Sequence, residues 1–123
     1  MNEATQPVSK FAPLHHYVWG EGCDGWNLVD GPALSVKQER MPAGTTEKMH
    51  RHEHAQQFFF ILNGTAHFEV EGREIKVEKG QGLHIAAGQE HRIGNRGGDD
   101  LEFILCSQPA TTHDRINSDD KKI

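Results

Sequence analysis

Apolar and polar residues alternate over the segment from residue 33 to residue 41. One face of this segment carries Leu34, Val36, Gln38 and Arg40. Alternation with a period of two predicts a β-strand, because successive side chains of a strand point to opposite faces. The sequence Pro42-Ala43-Gly44 then predicts the end of this strand.

Several further strands are predicted downstream of this one. A nearly continuous apolar run occupies residues 58–62, and Asn63-Gly64 closes it. An Asn-Gly pair after a run rich in β-formers predicts a hairpin. Shorter apolar or alternating segments lie at residues 66–70, 75–77, 83–86 and 101–106. Since no segment of ten or more residues has a helical period, the pattern predicts a small all-β barrel or sandwich.

The apolar run has two faces that are expected to differ in environment. Phe59 and Ile61 share the parity of Gln57, so we expect them to line the interior. The opposite face would then pack outside the barrel, against another sheet or another subunit. Its residues are Phe58, Phe60 and Leu62.

The pattern divides the chain into three parts. Residues 33–108 are predicted to form the barrel. Residues 1–32 are predicted to be an N-terminal arm followed by a loop rich in glycine and tryptophan that packs on the barrel. Residues 109–123 are polar and are predicted to form a C-terminal tail.

Composition narrows the class of protein. A length of 123 residues fits one compact domain. The formal net charge of −5 argues against nucleic-acid binding, which needs clustered lysine and arginine. No run of 18 apolar residues predicts a membrane span. Because no signal peptide is evident and the two cysteines lack metal-site spacing, we expect a cytoplasmic protein with free thiols.

Histidines carry the candidate chemistry. His50 and His52 are two positions apart, so both imidazoles leave the same face of a strand. His91 follows in a glycine-punctuated stretch and is able to supply a third imidazole from a second strand. Imidazole is the commonest protein ligand for transition metals of intermediate softness. This spacing therefore predicts a metal site.

Two motifs around these histidines resemble those of the cupin superfamily. The first motif has glycine, five residues, His-x-His, three or four residues, glutamate, six residues and glycine. Here it reads Gly44-TTEKM-His50-Arg51-His52-EHAQ-Gln57-FFFILN-Gly64, so glutamine stands in place of glutamate. The second reads Gly80-QGLHI-Ala86-Ala87-Gly88-QE-His91-RIG-Asn95, with Ala86 in place of the usual proline.

The resemblance implies a single cupin barrel, of the jelly-roll or double-stranded β-helix type, that holds one divalent transition metal. The implied ligands are His50, His52, His91 and Gln57. If Gln57 does not bind, His54 or Gln56 is the substitute. Zinc, nickel, iron, manganese and copper all suit such donors. Cupins of this size commonly pair, so the resemblance also implies a homodimer.

The replacement of glutamate by Gln57 bears on the reaction. Three neutral imidazoles and an amide leave the metal its full formal charge, which favours Lewis-acid chemistry. The same replacement removes a ligand carboxylate that would be able to act as a base. If the face of residues 34–40 that carries Gln38 and Arg40 points inward, Arg40 would bind a carboxylate or phosphate. Gln38, Phe59 and Ile61 would line the substrate pocket beside it.

Three functions remain open at this point, because the fold does not decide between them. The first is an enzyme that uses the metal as a Lewis acid on a small oxygenated substrate of the sugar-acid or keto-acid type. Single-domain cupins with glutamine at the fourth position resemble those that ketonise unsaturated uronates. The second is an iron- or manganese-dependent dioxygenase. The third is a module that binds a small ligand without catalysis.

Overall fold

The computed structural model describes residues 5–118, and within them the chain forms eleven β-strands and no α-helix. Consequently this part of the chain contains no helix suited to crossing a membrane. The strands are β1 (His15–Trp19), β2 (Cys23–Asp30), β3 (Ser35–Met41), β4 (His50–His52), β5 (Gln56–Asn63), β6 (Thr65–Val70), β7 (Arg73–Glu78), β8 (Gly82–Ile85), β9 (His91–Gly94), β10 (Leu101–Gln108) and β11 (Arg115–Asn117).

These strands form two antiparallel sheets packed face to face. One sheet has the order β1-β2-β3-β10-β5-β8 and the other has the order β11-β4-β9-β6-β7. An aromatic contact joins the sheets, because the ring centroids of Phe59 on β5 and Phe68 on β6 lie 5.0 Å apart. Within the six-stranded sheet, Phe59 also packs against Phe103 at 5.6 Å. The prediction of an all-β, jelly-roll type of fold is confirmed.

Strand β5 has the two faces that its sequence predicts. Phe59 and Ile61 are buried in the core between the sheets. The opposite face looks outward from the six-stranded sheet and is exposed, with Phe60 at 38 % of its full accessibility. Alternation along β5 therefore separates residues that face the core from residues that face outward, although both faces are apolar.

The Asn63-Gly64 turn differs from its prediction. It does not close a hairpin, because β5 pairs with β10 and β8 while β6 pairs with β7 and β9. The turn instead carries the chain from one sheet to the other. Gly64 has a φ of 82°, and a Cβ at this position would lie 2.7 Å from the carbonyl oxygen of Asp100. Close approach to the neighbouring backbone accounts for the glycine.

The segment predicted as a glycine- and tryptophan-rich loop is instead a β-hairpin. Strands β1 and β2 pair with each other, and β2 pairs with β3, so the six-stranded sheet gains two strands at one edge. Glycines at the turn and one glycine inside β2 hide the alternation that would have revealed these strands. The division of the chain at residues 32 and 108 stays a prediction.

Part of the predicted C-terminal tail also belongs to the sandwich. Strand β11 pairs with β4, with Arg115 opposite His52 and Asn117 opposite His50. Asp114, just before β11, accepts hydrogen bonds from the backbone N–H groups of Glu53, His54 and Ala55. This segment therefore supports the turn that follows the two histidines of β4. The rest of the predicted tail, residues 119–123, and the start of the predicted arm, residues 1–4, lie outside the described residues.

Candidate metal centre

The structure brings His50, His52 and His91 together between the two sheets. His50 and His52 leave the same face of β4, and His91 on β9 is the direct cross-strand partner of His50. One nitrogen from each ring lies within 4.8 Å of the others. The three residues are only 3 %, 4 % and 1 % exposed. Burial of three imidazoles around one point is costly unless they share a ligand or a hydrogen-bond network.

Backbone contacts determine the tautomers of two of these rings. Nδ1 of His50 donates to the carbonyl oxygen of Lys48 at 2.8 Å, and Nδ1 of His91 donates to that of Gln89 at 2.9 Å. In a neutral imidazole with a proton on Nδ1, Nε2 carries a free lone pair. Such backbone contacts are typical of metal-binding histidines. In His52, Nδ1 is buried and has no hydrogen-bond partner among the described residues.

Gln57 presents its carbonyl oxygen to the same cluster. Its amide nitrogen donates to the Ser107 hydroxyl at 3.0 Å, which directs Oε1 toward Nε2 of His91 at 3.2 Å. Both facing atoms are acceptors, because the His91 proton resides on Nδ1. Two buried acceptors facing each other without a proton fit a shared cation. The orphaned His52 nitrogen and this pair together fit a metal site.

The pKa values of the cluster favour neutral rings. Burial, together with the neighbouring His91, lowers the pKa of His50 to about 3. Burial likewise lowers the pKa of His52 to about 4, and burial also lowers the pKa of His91. Neutral imidazole is the form that coordinates a metal. The rings are therefore ready to bind without first losing a proton.

A cavity of about 280 Å³ opens beside the cluster. Aromatic and aliphatic side chains, Phe59 among them, form part of its wall. The rest of the wall is polar and carries charges of both signs. Its polar and charged residues besides the histidines and Gln57 are Tyr17, Lys37, Glu39, Glu47, Thr111 and Arg115. Such a wall suits a small, polar and oxygen-rich ligand better than an apolar one.

The two carboxyl groups of this wall are perturbed. Burial raises the pKa of Glu47 to about 8, against the attraction of Arg115. Burial also raises the pKa of Glu39, although a hydrogen bond from Tyr17 opposes this shift. Perturbed carboxyl groups in a cleft beside candidate ligands are typical of functional sites.

Gln38 and Arg40 do not line the cavity, so the condition for their predicted role in substrate binding is not met. They lie on the outer face of β3, where Arg40 Nη2 contacts Asp24 Oδ2 at 2.7 Å and Gln38 donates to Glu102 at 2.9 Å. The inward face carries Lys37 and Glu39 instead. Both faces of β3 are mostly polar because its inward residues Lys37 and Glu39 border the cavity, while only Met41 at its end enters the apolar core, so polarity does not identify the inner face.

The other predicted residues are divided between the site and its surroundings. Phe59 lines the cavity, whereas Ile61 is fully buried in the core and is not part of the cavity wall. His54 has an exposed side chain and Gln56 bonds to His84 and Gln108, so neither side chain faces the three imidazoles.

Sequence reasoning missed most of the charged cavity wall. Tyr17 and Arg115 come from the predicted arm and tail, and their segments carry no strong β-pattern. Lys37 and Glu39 lie two positions apart on a predicted strand, so the sequence did indicate that their side chains share one face. Only pairing of distant strands brings these residues to the cavity.

Residues 37–107 match the family model of the cupin domain, which is more than half of the chain. The chain is a cupin. Its curated relatives include an uncharacterized protein of Methanocaldococcus jannaschii, 26 % identical over 72 % of this chain and 70 % of that protein. They also include an oxalate-binding protein of Thermotoga maritima, 31 % identical over 53 % of this chain and 54 % of that protein. The cupin therefore spans about half the length of the oxalate-binding relative.

Solved structures resemble this cupin in fold. KdgF from Halomonas sp. matches with a TM-score of 0.73 and 17 % identity, over 80 % of this chain and 91 % of that chain. A predicted oxalate decarboxylase from Thermotoga maritima matches with a TM-score of 0.68 and 23 % identity, over 73 % and 83 %. At these identities the likeness concerns the fold, and the function depends on the site.

Proposed function

We propose that this cupin is an enzyme that acts on a small anionic, oxygen-rich substrate of the sugar-acid or keto-acid type. One divalent transition metal would be held by His50, His52, His91 and Gln57. The observation that carries the proposal is the convergence of four uncharged donors beside a charged cavity. When bound to uncharged donors, the metal supplies Lewis acidity that polarises a carbonyl or hydroxyl oxygen.

The cavity wall supplies the groups that bind and orient such a substrate. Lys37 and Arg115 contribute positive charges to the wall, suited to a carboxylate. Arg115 already contacts two protein side chains, since its Nη1 lies 4.0 Å from Glu47 and its Nε donates to Asn117 at 2.8 Å. Trp19 and Phe59 border the same space and limit the access of water to it.

The test combines metal content with turnover. Untagged protein is analysed by elemental mass spectrometry and then assayed with a panel of unsaturated uronates, before and after chelation. We expect one metal per chain and formation of a keto acid, with turnover lost on chelation and restored by the metal. Absence of turnover by fully metal-loaded protein across the panel contradicts the proposal. Oxygen uptake that follows iron content points to a dioxygenase.

A second candidate is a binding module for a small dicarboxylate. It is supported by the relative described as an oxalate-binding protein and by the two cations of the cavity wall. Calorimetric titration of the metal-loaded protein with oxalate separates the two candidates. Tight oxalate binding without any turnover of the uronate panel favours the binding module.

Gln57 provides a direct test of the fourth ligand. We expect Gln57→Glu to tighten metal binding by roughly tenfold or more, because a carboxylate adds a negative charge to the donor set. Competition with a fluorescent chelator measures the change. Exposed Gln56→Glu, on the outer side of the same strand, is the matched control and should leave the affinity unchanged. Equal affinities of wild type and Gln57→Glu would show that Gln57 is not a ligand.

The outer face of β5 supports the further proposal of a homodimer. Phe58, Phe60 and Leu62 form an exposed apolar row on the six-stranded sheet. We expect Phe60→Asp to convert a dimer into a monomer, measured by sedimentation velocity. Val18→Asp introduces the same charge on exposed β1, which β2, β3 and β10 separate from β5, and should keep the dimer. A monomeric wild type at micromolar concentration contradicts the proposal.

A further inference from the structure

Three residues form a row across the N-terminal edge of the six-stranded sheet. Tyr17 on β1 is the cross-strand partner of Gly25 on β2, and Gly25 is the partner of Glu39 on β3. The Tyr17 hydroxyl donates a hydrogen bond to the Glu39 carboxylate. The tyrosine therefore reaches across the whole width of the middle strand to meet the glutamate.

Gly25 makes this reach possible. A Cβ at this position would lie 2.0 Å from Cζ of Tyr17 and 2.3 Å from its hydroxyl oxygen. No side chain fits there while the ring occupies its place. The glycine is needed for the space that it leaves, and any larger residue would push the Tyr17 ring away from Glu39.

The Tyr17–Glu39 pair faces the cavity that His50, His52 and Gln57 also line. Glu47 is the other carboxylate of that wall, but its Oε1 accepts the backbone N–H of Ile93 at 3.2 Å and so has a structural partner. The partner of Glu39 is a hydroxyl, which can itself lose and regain a proton. Of the two carboxylates, Glu39 is the one built into a proton-exchanging pair.

We propose that Glu39 and Tyr17 form the proton-transfer pair of this site, with Glu39 as the base and Tyr17 as the acid. The inference rests on the proposed function and adds the groups that move protons. It also supplies the base that is missing from the donor set, where Gln57 replaces a carboxylate.

The step balances without an oxidant or a reductant. The O–H bond of a substrate enol breaks, and its proton goes to the Glu39 carboxylate. The electron pair forms the new C=O bond, and the former C=C pair takes the Tyr17 proton to form a C–H bond. Glu39 then returns its proton to the Tyr17 oxygen through their hydrogen bond, so the pair regains its initial state.

The environment of the pair suits these roles. Burial raises the pKa of Glu39, so its carboxylate is a stronger base than an exposed one. Burial and the charge of Glu39 raise the pKa of Tyr17 well above its usual value, so the phenol is protonated at rest. It becomes a stronger acid once Glu39 has taken a proton and lost its negative charge. Lys37 Nζ lies 5.4 Å from the centre of the Tyr17 ring and adds a positive charge nearby.

The test compares metal-loaded wild type with Tyr17→Phe and Glu39→Gln, using the unsaturated uronate that wild type turns over best. Loss of a general acid or base lowers kcat by about a hundredfold or more. We expect that loss in both variants, with metal content unchanged and the KM and calorimetric affinity for the keto-acid product within about threefold of wild type. Glu39→Asp should recover part of the lost rate.

Gly25→Ala tests the geometry without touching either reacting group. It should displace the Tyr17 ring and lower kcat to about the level of Tyr17→Phe. Gly98→Ala is the matched control, because a Cβ at Gly98 meets nothing within 4 Å and its φ is ordinary. The control should keep the wild-type rate.

The outcomes separate the two proposals. Active wild type with Tyr17→Phe and Glu39→Gln at near-wild-type kcat overturns the pair and leaves the proposed function intact. Variants that lose metal, product affinity and turnover together assign the pair a structural role and also overturn it. Metal-loaded wild type that turns over no uronate overturns the proposed function and the pair with it.

Discussion

Replacing His91 by alanine is expected to remove the bound metal while the sandwich stays folded. His91 lies at the centre of the cluster, since it is the strand partner of His50 and faces Oε1 of Gln57. Loss of a supporting contact to a ligand already costs about 10- to 100-fold in metal affinity, so loss of the ligand itself should cost at least about a hundredfold. Elemental mass spectrometry and chelator competition measure this loss.

The fold should survive this substitution because the apolar core does not depend on the cluster. Phe59 packs against Phe68 and Phe103 at 5.0 and 5.6 Å between ring centroids, and these contacts remain when its more distant contact with His91, at 6.5 Å, is lost. We expect circular dichroism to show an unchanged β-spectrum and thermal unfolding to remain cooperative. His84→Ala is the matched control, since this exposed histidine lies on the outer side of β8 and should leave the metal in place. Full metal retention by His91→Ala would remove the basis for the assigned site.

The second large effect is expected at Asp114. Its carboxylate accepts the backbone N–H groups of three successive residues, Glu53, His54 and Ala55, at 2.9–3.2 Å. Asp114→Ala leaves these donors to water or without a partner, and each buried orphan costs about 1–3 kcal/mol. Because Ala55 is fully buried while its neighbours reach solvent, we expect a total loss of about 2–3 kcal/mol in the free energy of unfolding.

Chemical denaturation measures this loss. Repeating it at several pH values separates the contribution of the Asp114 charge from that of its packing. Burial raises the pKa of Asp114, but the three N–H bonds outweigh burial, so the net pKa lies below 3.8. A lowered folded pKa means that the stabilisation is present above the usual aspartate pKa and is lost as pH falls through the folded value. Asp114→Asn should therefore be destabilised at neutral pH and should approach wild type in acid.

The control for Asp114 is Asp30→Ala, an exposed aspartate at the end of β2. It should change the unfolding free energy by less than about 0.5 kcal/mol. An equally small change in Asp114→Ala would show that water replaces the carboxylate at no cost. Metal affinity should also fall in Asp114→Ala, because the turn that it supports begins directly after His52.

Local alternation of side chains was sufficient to predict which residues of a strand share a face. The parity of Phe59 and Ile61 with Gln57 followed from the two-residue period, and the core occupies that side of β5. The same period places His50 and His52 on one face of β4. These are properties of a single strand, so they depend on no partner.

Alternation failed at β3, where both faces are polar. Arg40 was expected to face the interior if Leu34 and Val36 did, but Asp24 and Asp100 neutralise it on the outer side. Lys37 and Glu39 face inward and line the polar cavity beside the three histidines. A polar inner face gives no hydrophobic signal, so a sequence pattern does not distinguish it from a solvent-exposed one.

Turn chemistry was informative about the local backbone but not about pairing. Asn63-Gly64 makes a tight turn, yet the strands on either side belong to different sheets. Which strands pair depends on contacts between distant segments, such as β3 and β5 with β10. The dipeptide itself contains no information on those contacts.

The amino-acid pattern was enough to predict the all-β class, the motifs that place three histidines on strands, and the two faces of β5. These depend on spacing within short segments, where backbone geometry alone relates residue to residue. The pattern did not predict that Tyr17, Glu39 and Arg115 line one cavity with the histidines. They come from β1, β3 and β11, and their meeting depends on strand order and register, which arise from the packing of the whole chain.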